Sequence, residues 1–399
     1  MRRRAGVLSL FLLALGVTGL LAPGGCDKGG GGGGGSSSST TGEIPIGHFA
    51  SMTGDTATFG VSADEGIRLA MNEINAAGGV LGRKVKVITT DDRSLSDEAK
   101  TAVERLINQD KVVALLGEIS SSRSIAGAPV AQDAQIPMLS PGSTNVKVTQ
   151  AGDYIFRSCF TDDFQGQALA RFAMDNLKLK KFAFLFPVNN DYGVGLRKYI
   201  ADELKAKGGE VVADLSYTEK SDVDFRGQLT RIKAAAPEAV FVPGYYTEAG
   251  LICQQARELG ITVPFIGGDG WDSDQTVQIG KQAVEGCYFS NHYSADEDRP
   301  EVKKFVESYK ATFKNPDGSP KVPDAMAVLG YDSMRLMADA IKRAGSTDGQ
   351  KIRDALAQTK DFPGASGNIT IDENRNAKKP IIILKINNGQ FRYVSRANP

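Results

Sequence analysis

The chain has 399 residues, too many for one ordinary domain, with 47 basic and 47 acidic side chains. That balance excludes the basic footprint of a nucleic-acid binder. With two histidines, no Gly-x-Ser-x-Gly elbow, no phosphate-cradling Gly-Lys-Ser/Thr and no His-Glu-x-x-His, the usual motifs of hydrolytic, nucleotide-dependent and zinc catalysis are missing, so no enzyme, cofactor or metal is expected.

Arg2-Arg3-Arg4 and the apolar run Val7 to Ala22 form a targeting segment too short to span a membrane. Without those three arginines the chain keeps 44 basic against 47 acidic residues, a mildly acidic body. Cys26 follows, then Asp27-Lys28, seven glycines and the hydroxyl run Ser36 to Thr41. This resembles a bacterial lipoprotein leader, with residues 1–25 as signal peptide and 26–42 as a lipidated Cys26 and its Gly/Ser tether. Pro23 departs from the leucine usual in that family, and plain secretion with a stray cysteine is the alternative. Such a tether behaves as a random coil. The other cysteines, Cys159, Cys253 and Cys287, lack metal-ligand spacing. They read as small buried apolar residues, with a Cys253–Cys287 bridge left open.

The folded body starts at Ile44 to Phe49. Ser62-Ala63-Asp64-Glu65 reads as a capping box, followed by a helical face of Ile67, Met71 and Ile74 that stops at Gly78-Gly79. Val85 to Thr90 is a strand, Ser96 opens a helix with Val103, Leu106 and Ile107, and Val112 to Leu116 is a buried strand. Next comes Gly117 to Asn145. Its triple serine, Ser120 to Ser122, precedes a helix that Pro129 should delay or kink. The short strand Ile136 to Leu139 then ends in Ser140-Pro141-Gly142-Ser143-Thr144. A second alternating block starts near Thr161. Its strands are Phe182 to Phe186, Val211 to Leu215, Ala239 to Val242 and Phe265-Ile266. Helices begin after Asn189-Asn190-Asp191-Tyr192-Gly193, at Phe225 and after Gly244-Tyr245-Tyr246. After a run at Val284 to Phe289 the pattern turns helical at Glu301–Phe313, Asp324–Ala344 and Lys351–Ala357, and it closes in a hairpin, Ile381–Ile386 with Phe391–Val394. Strand–helix alternation argues for parallel sheets covered on both faces, and two such blocks argue for two lobes.

Ligands of open parallel sheets bind at the carboxyl ends of strands. There the first block offers Ser120 to Ser122 and Gly142 to Thr144, hydroxyls and helix-start amides suited to a carboxylate. The second offers Tyr192, Tyr245, Asp269 and Trp271, a carboxylate and aromatic faces suited to an ammonium. Together they describe a zwitterion site closed between lobes, with Trp271 at the mouth of the cleft. Plainer readings stand beside it: Asp269 as a helix cap, the two tyrosines as amphipathic surface residues, Trp271 packed on its own lobe. Glu118 reads as a solvated loop charge and His48 as structural.

Phe49-Ala50-Ser51-Met52-Thr53-Gly54 with Phe59-Gly60, Asn72 to Gly79, Asp91-Asp92, Ser120-Ser121-Ser122, Asp191-Tyr192-Gly193 and Gly268-Asp269-Gly270-Trp271-Asp272 jointly carry a resemblance over residues 44 to 399. The chain resembles the leucine/isoleucine/valine-binding proteins, solute receptors of branched-chain amino-acid ABC transporters. The resemblance implies an α/β, type I periplasmic binding protein fold, two Rossmann-like lobes with parallel-sheet cores joined by three crossovers. Residues 43–161 plus 292–373 would form lobe 1, and 162–291 plus 374–399 lobe 2. It implies that Ser121 and Thr144 bind the ligand carboxylate, that the Gly142 carbonyl, Tyr245 and Asp269 meet the ammonium, and that Phe59, Tyr192 and Trp271 line the side-chain region. The family often has Glu where this chain has Asp269. A disulfide of some members would fall on Ser94 and Ser120 and cannot form. The implied partners are an amino acid, an inner-membrane ABC permease and, through the lipid anchor, the membrane, with a monomer expected in the periplasm. A sensor subunit for amino acids or small amides is the alternative.

Overall fold

The computed structural model describes residues 42–398; the leader, Cys26 and the glycine/serine run lie outside them. The first sheet is parallel throughout. Its strands β1 (Ile44–Ala50), β2 (Val85–Asp91), β3 (Ala114–Leu116), β4 (Met138–Ser140) and β5 (Ile155–Arg157) lie in the order β2-β1-β3-β4-β5. Helices α1 (Ala57–Ala76), α2 (Ser96–Asn108), α3 (Ser121–Asp133) and the short α4 (Lys147–Gln150) make the connections. Successive residues of a strand face opposite sides. Accordingly Ala114 and Leu116 join the core under α1, while Leu115 joins Phe49, Val103 and Ala128 under α2 and α3.

The chain then enters a second sheet of β6 (Lys181–Pro187), β7 (Glu210–Tyr217), β8 (Ala239–Val242), β9 (Phe265–Gly267) and β10 (Tyr288–Asn291), all parallel. Helices α5 (Asp162–Arg171), α6 (Asp191–Ala206), α7 (Arg226–Ala235), α8 (Tyr246–Glu258) and α9 (Asp274–Gly280) flank it. Phe182 and Phe184 pack on one face with Leu196, and Ala183 and Leu185 on the other with Ile252.

After β10 the chain returns to the first lobe. Helices α10 (Pro300–Thr312), α11 (Ala325–Ala344) and α12 (Gly349–Ala357) bury Val302, Val328 and Ile352 in the core shared with Ile46 and Ile67. A small antiparallel sheet of β11 (Phe362–Gly364), β12 (Gly367–Ile371) and β13 (Ala377–Lys378) follows. The third crossing delivers β14 (Ile381–Asn387) and β15 (Gln390–Ala397), an antiparallel hairpin on the β10 edge of the second sheet. This is an α/β fold of two parallel-sheet lobes joined by three crossovers.

Several local expectations are corrected. Helix α1 begins at Ala57, so Ser62 is no cap; its hydroxyl donates to Asp324 Oδ2 at 2.6 Å. Helix α3 starts at Ser121 and runs through Pro129 without the late start expected. Cys159, Cys253 and Cys287 are free buried thiols, so no Cys253–Cys287 bridge forms. No helix of the described residues is long and apolar enough to cross a membrane.

Candidate ligand-binding site

The carboxyl ends of β3, β4, β8 and β9 converge on the gap between the lobes. On the first lobe, two polar turns are locked together through Glu118. Glu118 is fully buried, not the solvated loop charge its sequence context suggested. Its carboxylate accepts from Ser51 N at 3.1 Å, Ser51 Oγ at 2.9 Å and the amide of Ser120, and it lies 3.2 Å from Arg123 Nε. Its carbonyl accepts from Ser140 Oγ at 2.7 Å and Ser143 Oγ at 2.9 Å, tying the turn after β3 to the turn after β4. Arg157, also buried, donates to the carbonyls of Ser143 at 2.7 Å and Asn145 at 2.8 Å. A buried charge persists only where it is paired and hydrogen-bonded. These two therefore fix the backbone of both turns. Asp92, beside Glu118 and buried, is pushed up to about 7 by desolvation and by the Glu118 charge.

The fixed turns leave donors free. Ser121 Oγ accepts from Asn145 N at 3.1 Å, so its own proton is available to a ligand. Thr144 Oγ1 is buried and has no partner. The N-terminus of α3 adds its first amides, whose dipole favours an anion.

On the second lobe, Asp269 occupies a single-turn 3-10 helix after β9 and is 3 % exposed. It caps nothing. Oδ1 accepts from Gln165 Nε2 at 2.7 Å, and Oδ2 lies 3.0 Å from His292 Nε2. Ser273 caps the following helix. Asp162, at the start of α5, is fully buried and raised well above its ordinary value by burial and by the Asp269 charge. Tyr192 and Tyr245 are buried and stacked, with parallel rings 5.4 Å apart, and Phe59 of the first lobe meets Tyr245 edge-on at 5.6 Å. They are no surface tyrosines.

These groups enclose a small cavity of about 10 Å³. Phe59, Ile119, Ser121, Gly142, Thr144 and Met326 line one side and Tyr192, Tyr245, Asp269 and Gly270 the other. That is far below the roughly 300–1,000 Å³ of pockets for drug-sized ligands. With the lobes this tightly closed it has room for about one water molecule. Trp271 is absent from the lining: it is fully buried in the second-lobe core, its indole N–H donating to the Val242 carbonyl at 3.0 Å. The expectation of a tryptophan at the cleft mouth is corrected; the 3-10 turn points its ring back beneath Gly267.

The lobes are closed on the cavity. Ser122 Oγ donates to Asp191 Oδ2 at 3.0 Å, Asn145 Nδ2 to the Asp191 carbonyl at 2.6 Å, and Tyr246 OH to the Asp55 carbonyl at 2.7 Å. Asp272 of the second lobe accepts from the amide of Ala325, first residue of α11, at 2.6 Å. His48 plays the structural part expected of it, buried with Nδ1 3.1 Å from the Leu116 carbonyl. Glu118, Arg123, Arg157, Gln165 and His292 were missed as site residues. The visible signal was a charge closing an apolar strand, as in Ile155-Phe156-Arg157.

Residues 43–390 match the model of the periplasmic binding protein family. The leucine binding protein LivK of Thermotoga maritima superposes with a TM-score of 0.84 at 39 % identity, over 89 % of this chain and 99 % of that one. The branched-chain amino acid transporter substrate binding protein LivJ of Streptococcus pneumoniae, solved in complex with isoleucine, does so with a TM-score of 0.84 at 34 % identity, over 90 % and 100 %. An amino acid binding protein of Pseudomonas aeruginosa is 33 % identical over 79 % of this chain and 82 % of its own length. These relatives are non-enzymatic substrate-binding proteins. The chain belongs to the periplasmic binding protein family.

Proposed function

We propose that this is an extracytoplasmic solute-binding lipoprotein that closes on an α-amino acid, branched-chain or otherwise apolar, and delivers it to an ABC permease. One observation carries the reading: a closed cavity with unused donors at one end and a single ionised carboxylate at the other. Ser121, Thr144 and the start of α3 would hold the ligand carboxylate. Asp269, with the Gly142 carbonyl and Tyr245 nearby, would take the ammonium. Phe59 and Tyr192, joined by Ile119 and Met326, would surround an apolar side chain. Isoleucine in the LivJ relative supports that ligand class. Lobe 1 would comprise 43–161 and 292–373 and lobe 2 162–291 and 374–399, with lipidated Cys26 holding the body at the membrane.

A thermal-shift screen of the mature chain against the twenty amino acids, small amides and benzoates tests the reading. A ligand at a hundred times its dissociation constant stabilises the native state by about 2.7 kcal/mol. Apolar amino acids should raise the melting temperature and benzoates, which lack an ammonium, should not. The reverse pattern would sink it.

A further inference from the structure

Behind the carboxylate end of the cavity stands His292, the residue after β10. Its ring lies flat on Phe160, centroids 3.8 Å apart and planes at 19°. Both rings are buried. Nε2 lies 3.0 Å from Asp269 Oδ2, and Nδ1 has no partner. Gln165 Nε2 holds the other Asp269 oxygen at 2.7 Å. An ionised carboxylate only accepts, so the geometry requires the imidazole proton on Nε2, and the bare Nδ1 completes a neutral ring. The charged groups facing this ring are Asp269, from the turn after β9, and Lys379, from the crossing segment before β14. Asp162, from α5, faces Asp269, and burial with the Asp269 charge raises it well above its ordinary value. Burial lowers the ionisation of His292 against the pull of Asp269. One uncompensated charge, that of Asp269, therefore faces the cavity.

We propose that His292 is a positioning residue of the ligand site: its neutral ring aims the Asp269 carboxylate at the ligand ammonium, and its protonation turns that countercharge off. The inference rests on the amino-acid reading of the cavity. An imidazolium at Nε2 would form a net-neutral pair with Asp269 and leave a bound ammonium with no counterion. Ligand binding and ring protonation then exclude each other. Burial lowers the ring's ionisation from its ordinary value, so affinity should hold on the alkaline side and fall, by up to about tenfold per pH unit, once the ring of the ligand-free protein takes up its proton.

The test is calorimetric titration of the mature chain with L-isoleucine between pH 8 and pH 5. Wild type should lose affinity on the acid side and release a proton to buffer there, read from the dependence of the enthalpy on buffer. His292→Gln keeps a neutral donor without a titrating ring; it should bind within about tenfold of wild type at pH 8 and show a flat profile. His292→Leu, which removes the donor, should bind more than tenfold weaker than wild type already at pH 8. Parallel acid losses in wild type and His292→Gln, or unaltered affinity in His292→Leu, would overturn the role of His292 alone. If wild type bound neither isoleucine nor any other amino acid, the ligand class and this inference would fall together.

Discussion

Asp269→Asn keeps the shape of the side chain and removes the one carboxylate among the described residues that line the cavity. Taking one partner from a buried ion pair costs ~3–5 kcal/mol, or roughly 150- to 5,000-fold in affinity. Calorimetry with L-isoleucine should show that loss, and an affinity within threefold of wild type would end the ammonium role. Glu118 makes a different kind of demand. Removing it as Glu118→Ala would leave Arg123, itself buried, with Asp92 at 4.0 Å as its remaining ion-pair partner and would strip the acceptor from Ser51 and the Ser120 amide. The ligand-free protein should lose about 3–5 kcal/mol in a denaturant titration, whatever the ligand. Trp271 belongs with the core. Its emission should be that of a buried indole and should shift little on saturation with ligand, in contrast to a tryptophan at the cleft rim. The hydroxyls, tyrosines and Asp269 were legible in the sequence because turn residues at strand ends announce themselves. Glu118, Arg157 and His292 were not, because a charge in a loop looks the same whether solvated or paired across 67 residues, as Glu118 is with Ser51.

At the scale of elements, the order of strand–helix alternation was read, and β8 is Ala239–Val242 and α2 opens at Ser96 as expected, but β5 was missed and β10 lies at Tyr288–Asn291 where Val284 to Phe289 was expected. The errors lie where tertiary packing decides. A polar Ser62 with Glu65 three residues on mimics a capping box, but Ser62 is buried in the second turn of α1 because that face meets α11. The two helices cross closely at glycines. A Cβ on Gly66 would lie 1.9 Å from the Ala327 carbonyl oxygen, and one on Gly330 2.3 Å from that of Ala63. Backbone cannot give way as a side-chain tip can, so Gly66→Ala should cost at least the ~1–3 kcal/mol of an overpacked core. It would be seen as a lowered denaturant midpoint. An unaltered midpoint would mean that the helices can separate without loss. The small sheet of β11 to β13 was missed because strands of two to five residues carry too little alternation to register.

The whole molecule is tied across its lobes by a pair of acids. Asp272 accepts from the Ala325 amide, while Asp324 caps α11 at Ala327 N (2.9 Å) and takes the Ser62 hydroxyl. Both are buried. Burial and the neighbouring Asp324 charge raise Asp272 to about 7, and burial raises Asp324 to about 6. An unfolded aspartate ionises near 3.9. Between that value and the raised ones the folded protein binds more protons than the unfolded chain, so stability is greatest on the acid side and is lost as pH rises through about 6 to 7. Asp92 and Glu248, each at about 7 and raised chiefly by burial, act in the same direction within their own lobes. Asp272→Asn keeps an oxygen for the Ala325 amide and removes one of the paired charges. The variant should melt higher than wild type at pH 8, by several degrees, since each kcal/mol corresponds to about 2–4 °C in a chain of this order of size. At pH 5 the offset should be clearly smaller than at pH 8, because the wild type loses this stability progressively between the unfolded value near 3.9 and the folded value of about 7. The slope above pH 6 should become shallower without vanishing, because Asp92 and Glu248 remain. Melting curves of both proteins at half-unit intervals from pH 5 to pH 8.5 decide the matter. A constant offset across that range would show that Asp272 stabilises or strains the junction by packing alone, with no part for its charge.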